Sequence, residues 1–474
     1  MTPFDEASEA FMAWLSKSGA EISRKIQLQD LRNIQAGRGV VAVQNIEEDE
    51  LLFRIPRPAI LSVENSILSS EIPKSTFEHL GPWLSLILVM LYEYQNQTAS
   101  NWAPYFNVLP TKFNTLMFWE ADELEQLQAS AVRNKIGKEE ADAMFKNELV
   151  PVIKEFAEIF YSGDVHAQKR AEAMVEPHNL ELMHKMGSLI MAYAFDVEPV
   201  NVQKDVDEEG YASEDEDEAL PKGMVPLADM LNADADKNNA RLFYESEYLS
   251  MKAVKPIMAG EEIFNDYGPL PRSDLLRRYG YITDNYAQYD VVEIPFDHIT
   301  YAASGDSIPF YDEKIEYLDE HGLIETGYDI SAGNPFTIQE SISPELIAVI
   351  ETLLLEEAEF ERLKRKGKLP KPDQLSARGA MILHGFIQTQ ARQYSTSLDQ
   401  DLSDIASVPL TGDIASKERR YAMAKLVRIG EKKILRNAEQ ALINMAQTKE
   451  RSTGASKRPA EDDNYGAGKK QRAQ

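Results

Sequence analysis

Two β-rich segments on either side of a long helical block constrain the fold of this chain most. Residues 26–61 and 241–254 are rich in the β-branched and aromatic residues that strands favour. Between them, candidate helices lie at Trp83–Tyr94, Glu139–Phe160 and Glu181–Phe195, because their apolar residues recur at helical spacing. The order of these segments predicts one β-rich fold that is interrupted by a helical insertion.

The outer segments give further local predictions. Val40–Val43 and Leu51–Ile55 flank the polar turn Glu47–Glu50, which predicts a β-hairpin. Arg241–Tyr244 and Tyr248–Val254 are predicted as strands, and residues 5–18 as a short amphipathic helix. Residues 343–447 are predicted to be helical, and five of them form one apolar face of a helix: Leu346, Val349, Ile350, Leu353 and Leu354.

Composition excludes several classes of protein. The chain has no cysteine, so it has no disulfide framework, thiol nucleophile or cysteine–zinc site. Its seven histidines are scattered without ligand spacing, so we predict no metal site. A net charge of −28 disfavours direct nucleic-acid binding and suits a basic protein partner, although an acidic surface can also serve solubility alone.

Targeting signals and charged segments bear on location. The N-terminus lacks the basic region of a signal peptide, and the apolar run Trp83–Leu91 is too short to span a bilayer, so we expect a soluble intracellular protein without membrane contact. The acidic blocks in 205–218 are expected to be disordered; they are either a solvated linker or a device for capturing a basic substrate.

The C-terminal tail carries two basic clusters. Lys457-Arg458 and, ten residues later, Lys469-Lys470-Gln471-Arg472 resemble a bipartite nuclear-import signal. This pattern predicts an import receptor as partner. It also predicts a nuclear location, with a second fraction in the cytoplasm. The alternative is an ordinary solvated basic tail.

The glycine motif Ala36-Gly37-Arg38-Gly39-Val40-Val41-Ala42 has two interpretations. It formally matches the dinucleotide fingerprint Gly-x-Gly-x-x-Ala, which would indicate a nicotinamide oxidoreductase. That fingerprint requires a helix after the glycines, and β-branched residues follow here instead. The motif therefore favours a glycine turn in a β-structure, where small residues let a cofactor approach the backbone.

Read with two later segments, this motif resembles a known family. The segments are Pro226–Asn232 and Gly260–Gly268, the latter followed by Leu275–Tyr281. Together they are similar to SET-domain protein-lysine N-methyltransferases of the split-SET, Rubisco large-subunit methyltransferase-like class, which includes nuclear and ribosomal-protein methyltransferases. The resemblance implies an α+β chain: a β-rich split SET fold with a helical insertion, and a C-terminal all-α substrate-binding domain.

The resemblance covers residues 24–285 and, more weakly, 310–447. The predicted organisation is an N-terminal helix (1–23), the first SET part (24–82), the helical insertion (83–202), an acidic disordered segment (203–221), the second SET part (222–285), the helical substrate-binding domain (286–447) and a disordered tail (448–474).

Site roles follow from the same resemblance. It implies S-adenosyl-L-methionine as cofactor, Tyr267 as the residue that positions the lysine amine, and Tyr279 as a residue that shapes the pocket. The cofactor contacts that it implies are Ala36, Gly37, Arg38, Gly39, Tyr193, Asn232, Tyr267 and Tyr279. The substrate contacts are Trp83, Ala194, Asp196 and Phe264, and Phe264 is expected to influence pocket width.

The chemistry of lysine methylation suits these residue types. A free lysine has a pKa of about 10.4 and is protonated at neutral pH. Desolvation beside a sulfonium cation favours the neutral amine, which tyrosine hydroxyls can orient for attack. The expected substrate is a ribosomal protein, a histone or another basic nuclear protein. Ala233 replaces the histidine that commonly follows Asn232 in the family, which leaves a catalytically silent binding module for basic proteins as the alternative.

Overall fold

The computed structural model describes residues 2–96, 99–197, 220–297, 299, 310–371, 374–405 and 416–455, with side chains up to 445. The acidic blocks at 205–218 and both basic clusters of the tail lie outside these residues. The chain forms two compact units: residues 1–290 with 396–430, and residues 291–395 with 431–474. Among the described helices, none is both long and apolar enough to cross a membrane.

The unit boundaries cut across the predicted domain 286–447, because residues 286–290 and 396–430 belong to the first unit. Buried ion pairs hold both stretches there. Arg272 contacts Asp290 at 2.5 Å, and Arg420 contacts Glu123 at 2.6 Å. Buried opposite charges need such close pairing to offset the cost of their desolvation. These pairs therefore tie residues 286–290 and 396–430 to the first unit.

The strands of the first unit form three antiparallel sheets. They are β1 (Glu21–Ile22), β2 (Ile26–Asp30), β3 (Arg38–Ala42), β4 (Leu51–Pro56), β5 (Leu61–Ser62), β6 (Ala194–Asp196), β7 (Lys222–Met224), β8 (Ala240–Tyr244), β9 (Tyr248–Ala253) and β10 (Glu262–Ile263). The strand orders are β1-β4-β9-β8, β10-β3-β2 and β5-β7-β6. Each sheet joins strands from both sides of the helical block, as the interrupted fold predicts.

The predicted hairpin is wrong. Strand β3 pairs with β2 and β10, whereas β4 pairs with β1 and β9. The polar turn leads the chain from one sheet to another: Ile46 forms a bridge with Ile257, and Asp49 adopts a left-handed φ of 63°. The strands β8 and β9 lie where the sequence predicts them.

The α-helices of the first unit are Pro3–Lys17, Leu68–Glu71, Lys74–Gln95, Ala103–Phe106, Ala121–Leu124, Lys138–Met144, Val150–Glu155, Ala157–Phe160, Ala167–Glu172, Pro177–Tyr193, Arg272–Tyr279, Leu398–Ile405 and the start of Lys417–Ala455, called here the long helix. Shorter 3₁₀ turns are Arg32–Ile34, Arg57–Ala59, Leu116–Phe118, Glu125–Leu127, Ala131–Lys135, Ala173–Val175, Ala228–Met230 and Asp284–Tyr289. The long helix reaches Ala455, inside the stretch predicted as a disordered tail.

A glycine and two prolines lie at the breaks in the helices of the insertion. Gly81, with φ 68° and ψ 174°, breaks the helix Lys74–Gln95, and Pro82 follows, so an unbroken helix begins near the predicted Trp83. The predicted helix Glu139–Phe160 is divided into pieces by the π-turn Phe145–Leu149. Pro151, which lacks an N–H donor, lies just after that turn.

The second unit combines helices with one two-stranded ladder. Its α-helices are Tyr311–Glu320, Ile338–Ser341, Pro344–Leu354, Glu357–Lys364, Ala377–Gln393 and the remainder of the long helix. Strands β11 (Val291–Pro295) and β12 (Gly327–Ser331) pair antiparallel, a small β-element inside the predicted helical domain. On Pro344–Leu354, the predicted apolar face is buried at Leu346, Val349, Ile350 and Leu353.

Candidate active site

Two tyrosine rings stack at the end of the second β-rich segment. The ring centroids of Tyr267 and Tyr279 are 4.0 Å apart with an interplanar angle of 10°. Tyr267 follows β10 through a turn in which the N–H of Gly268 donates to Asp266 at 2.8 Å. Tyr279 is the last residue of the helix Arg272–Tyr279, which ends because Gly280 adopts a left-handed φ of 75°.

Burial keeps both hydroxyls neutral. It raises the pKa of Tyr279 to about 12 and that of Tyr267 well above its ordinary value. A neutral phenol can donate one hydrogen bond and still accept others. The pair can therefore hold an amine through oriented hydroxyl groups without carrying a charge.

Three more tyrosines lie near this pair: Tyr193, Tyr281 and Tyr286. The Tyr281 ring meets that of Tyr279 edge-on, with centroids 6.4 Å apart. Tyr286 is fully buried, and its hydroxyl has no hydrogen-bond partner among the described residues. The sequence around Tyr281 and Tyr286 predicts no role for them, because aromatic residues alone do not distinguish a pocket from a core.

Asn232 joins the glycine motif to the second β-rich segment. Its amide nitrogen donates to the backbone oxygens of Ala36 and Arg38, at 3.1 and 3.2 Å, and to Glu262 Oε1 at 2.7 Å. A Cβ at Gly39 would lie 2.6 Å from Glu262 Oε1 and 3.0 Å from Asn232 Nδ2. A larger residue at Gly39 would have to displace these side chains, and predicted cofactor residues far apart in sequence come together here.

The side chain of Arg38 serves this junction indirectly. Its guanidinium donates to the backbone oxygen of Val108 at 2.8 Å and to Ser8 Oγ at 3.1 Å. It also lies 3.8 Å from the centroid of the Phe4 ring, a cation–π contact. The part of Arg38 that lies beside Asn232 is its carbonyl, and Gly37 adjoins it with a left-handed φ of 65°.

The predicted cofactor residue Tyr193 and the predicted substrate residues Ala194 and Asp196 occupy one helix end and the strand that follows it. Tyr193 ends the helix Pro177–Tyr193, and burial raises its pKa to about 12. Ala194 and Asp196 follow in β6, where Asp196 pairs with Lys222 at 2.8 Å while remaining 33 % exposed. This acid already has a cationic partner, which weakens its expected attraction for a basic substrate.

Trp83 and Phe264 are both partly buried. Trp83 packs against the hydrophobic core beside Gly187, which is compatible with a structural role. The backbone of Phe264 is held on both sides: its N–H donates to Asn239 Oδ1 at 2.8 Å, and its oxygen accepts from Asn239 and Ala240 at 3.1 Å. Phe264 therefore has a fixed backbone three residues before Tyr267.

Asp229 is a buried acid near Tyr193 that the sequence did not predict as part of the site. The hydroxyl of Tyr105 donates to Asp229 Oδ2, and Asp229 Oδ1 has no hydrogen-bond partner in the part of the chain described. Burial raises the pKa of Asp229 to about 7. Asp229 precedes Asn232 by three residues, but the motif around them gave no sign that Tyr105 would supply the donor.

The geometry fits methyl transfer to an amine without residues arranged for metal binding. Within the described ranges, no group of three or more His, Cys, Asp or Glu side chains could hold an ion. The backbone oxygens of Ala36 and Arg38 and the amide of Asn232 form a polar cradle on one side. The tyrosines provide neutral hydroxyls and aromatic faces, which attract cations.

Two family models match this chain. The SET domain family model matches residues 37–268, and the Rubisco LSMT substrate-binding family model matches residues 305–435. Ribosomal lysine N-methyltransferase 4 of Saccharomyces cerevisiae is 38 % identical over 328 residues, 67 % of this chain and 63 % of that protein. The chain thus spans less than two thirds of that relative's length.

A second relative matches over more of its length. N-lysine methyltransferase SETD6 of Rattus norvegicus is 27 % identical over 459 residues, which cover 91 % of this chain and 90 % of that protein. Among solved structures, the SET domain of LSMT bound to lysine and AdoHcy has a TM-score of 0.65 at 20 % identity, with 97 % of each chain covered. Rubisco LSMT bound to AdoMet has a TM-score of 0.64.

The structural likeness confirms the predicted split SET fold. The matched families account for both its SET region and its C-terminal region, and their members use S-adenosyl-L-methionine, the predicted cofactor. The chain belongs to the SET-domain protein-lysine N-methyltransferases that carry a Rubisco LSMT-type substrate-binding domain.

Proposed function

We propose that this chain transfers a methyl group from S-adenosyl-L-methionine to a lysine of a ribosomal protein or another basic nuclear protein. The stacked pair of Tyr267 and Tyr279 carries the proposal. Its neutral hydroxyls can accept a hydrogen bond from the amine and direct the nitrogen lone pair. Enclosure among further tyrosines removes water, which favours the neutral and nucleophilic amine.

We assign the cofactor to the junction between the glycine motif and Asn232. The backbone oxygens of Ala36 and Arg38 and the side chain of Asn232 offer polar groups there, and Gly37, with nothing within 4 Å of an added Cβ, leaves the backbone open to close approach by a ligand. The sulfonium cofactor, when bound, supplies an electrophilic methyl group. The task of the chain is to bring the lysine nitrogen into line with that methyl group and to exclude competing water.

Two observations support a basic ribosomal or nuclear substrate. A net charge of −28 raises encounter rates with a positively charged protein. The similar yeast protein is named for ribosomal lysine methylation. Histones remain an alternative substrate of the same chemical class.

The proposed location is the nucleus. It rests on the two basic clusters between Lys457 and Arg472, which an import receptor would bind. Fusing residues 448–474 to a fluorescent protein should concentrate it in the nucleus, whereas replacing both clusters with alanine should distribute it throughout the cell. The same cellular distribution of the fusion with and without the two clusters would contradict this location.

The proposed substrate can be tested with labelled S-adenosyl-L-methionine and separate ribosomal-protein and histone fractions. We expect a labelled band in the ribosomal fraction, with methyl-lysine identified by mass spectrometry. A labelled band only among the histones would contradict a ribosomal substrate but would still support lysine methyl transfer.

The same assay separates enzyme from binding module. Ala233, at the position where the family commonly has histidine, motivates the catalytically silent alternative. Calorimetric binding of S-adenosyl-L-methionine without transfer to any basic protein would favour that alternative. Transfer that is lost in the Tyr267→Phe variant would reject it.

A further inference from the structure

The first turns of the long helix bring two adjacent arginines to two parts of the active site. Arg419 donates a hydrogen bond to the side-chain oxygen of Gln35, which directly precedes the glycine motif. Arg420 donates from Nε to Asn114 Oδ1 at 2.9 Å and from Nη1 to Glu123 Oε2 at 2.6 Å. Both arginines lie in the first compact unit, although their sequence falls within the match to the substrate-binding family.

Asn114 extends this contact to the tyrosines. Its Nδ2 donates to the backbone oxygen of Gly280 at 3.1 Å. Gly280 lies between Tyr279 and Tyr281 in sequence, so the hydrogen bond from Asn114 anchors the turn that carries both rings. A Cβ on Gly280 would lie 2.9 Å from the carbonyl carbon of Asn114 and from the nitrogen of Thr115, which leaves this turn no room to shift toward the insertion.

Apolar packing surrounds the polar contact. Leu276 and Ile282, on either side of the turn, belong to one buried cluster with Trp119 of the insertion and with Met423 and Val427 of the long helix. The indole nitrogen of Trp119 also donates to the backbone oxygen of Asn114, at 2.9 Å. The backbone of Asn114 is therefore held by Trp119, independently of its side-chain contacts.

We propose that Arg420 and Asn114 form a positioning relay that sets the backbone at Gly280 and thereby the orientation of Tyr279 and Tyr281. The charge of Arg420 is already balanced by Glu123 and by the backbone oxygen of Phe118, at 3.0 Å. Its hydrogen bond to Asn114 leaves the Asn114 amide with one orientation, donor toward Gly280. The relay rests on the lysine methylation that the family performs, and it adds two residues that touch neither substrate nor cofactor.

The decisive variant is Asn114→Asp. Aspartate has nearly the same shape and still accepts the hydrogen bond from Arg420, but it cannot donate to Gly280 and places a carboxylate oxygen against a carbonyl oxygen. With ribosomal protein as substrate, we expect kcat to fall about 10-fold, which corresponds to roughly 1.4 kcal/mol. The dissociation constant of S-adenosyl-L-methionine should stay within about twofold, because the contacts of Asn114 that carry the relay go to Arg420 and Gly280 and do not involve the glycine motif.

Arg428→Lys is the matched control. Arg428 lies on the same helix, is fully buried, pairs with Asp401 at 2.7 Å and donates to the backbone oxygen of Gln126. It ties the helix to the first unit without touching the tyrosine turn. We expect this variant to lower the melting temperature and to leave kcat unchanged. Equal kcat values for Asn114→Asp and Arg428→Lys would overturn the relay.

Hydrogen exchange gives a readout that needs no protein substrate. In Asn114→Asp, the amides of residues 279–282 should exchange about 10-fold faster, because the turn loses its anchor. In Arg428→Lys they should exchange as in the wild type. Unchanged exchange in Asn114→Asp would overturn the relay, whereas a wild type that labels no ribosomal protein would overturn only the proposed substrate.

Discussion

At the residue scale, one buried acid makes stability depend on pH. Asp229 is 9 % exposed, and burial raises its pKa from 3.8 to about 7. Between these values the folded chain binds more protons than the unfolded chain, so the contribution of Asp229 to the free energy of unfolding is fully present below about pH 4. It falls as pH rises and is lost above about pH 7.

Replacing this acid should remove that dependence. In Asp229→Asn, the carboxamide oxygen can still accept from Tyr105, and no charge forms at high pH. The free energy of unfolding of the variant relative to wild type should rise by a few kcal/mol, in order of magnitude, between pH 4 and pH 8. Denaturant titrations at four pH values would measure this difference, and parallel profiles for the two proteins would contradict the raised pKa.

Sequence reasoning found the residues whose neighbours in the chain identify them. Tyr267, Tyr279 and Asn232 lie in short motifs with glycine and acidic residues, and the structure brings the two tyrosines together and places Asn232 against the glycine motif. Tyr286 and Tyr105 lie in no such motif, and the motif that contains Asp229 gives no sign of its partner. Their position depends on contacts across more than a hundred residues, as for Tyr105 and Asp229, which no local pattern encodes.

At the element scale, a glycine ends the helix that carries Tyr279. Gly280 has φ 75°, and an added Cβ would meet backbone atoms at 2.9 Å. Gly260 has φ 91° with nothing within 4 Å of the added Cβ. Gly280→Ala should therefore lower the free energy of unfolding by about 2–4 kcal/mol, from strain and overpacking together, and Gly260→Ala by about 1–2 kcal/mol from strain alone.

Chemical denaturation of both variants measures these costs. Similar losses of unfolding free energy would contradict the close packing of Asn114 and Thr115 against Gly280.

Elements were predictable where periodicity was regular, as in β8, β9 and the helix Pro344–Leu354. Strand pairing was not, because β3 and β4 have the same alternation whether they pair with each other or with β10 and β9.

At the scale of the whole molecule, charge should govern encounter with the substrate. With a net charge of −28, the chain attracts a basic protein over a distance that salt shortens. We expect kcat/KM for an intact basic substrate to fall about 10-fold or more between 50 and 500 mM salt, with kcat nearly constant. A short uncharged peptide around the same lysine is the control, and equal salt dependence for both would contradict electrostatic capture.

The order of the segments predicted the interrupted fold, but not where the first unit ends. Residues 396–430 return to it through buried pairs such as Arg428–Asp401 and Arg420–Glu123. In the sequence, these charged residues are indistinguishable from those of a solvated helix face. Only their burial shows that they belong to the core of the first unit.

If Tyr267 and Tyr279 enclose the lysine amine, the loss of the Tyr267 hydroxyl in Tyr267→Phe should slow methyl transfer. The variant keeps the stacked ring and removes one hydroxyl. Single-turnover methyl transfer should slow about 100-fold or more, while the dissociation constant of S-adenosyl-L-methionine stays within about threefold. Tyr317→Phe, which removes a hydroxyl bonded to the backbone oxygen of Lys368 at 3.0 Å, should transfer at the wild-type rate. Equal rates for wild type and Tyr267→Phe would contradict the account.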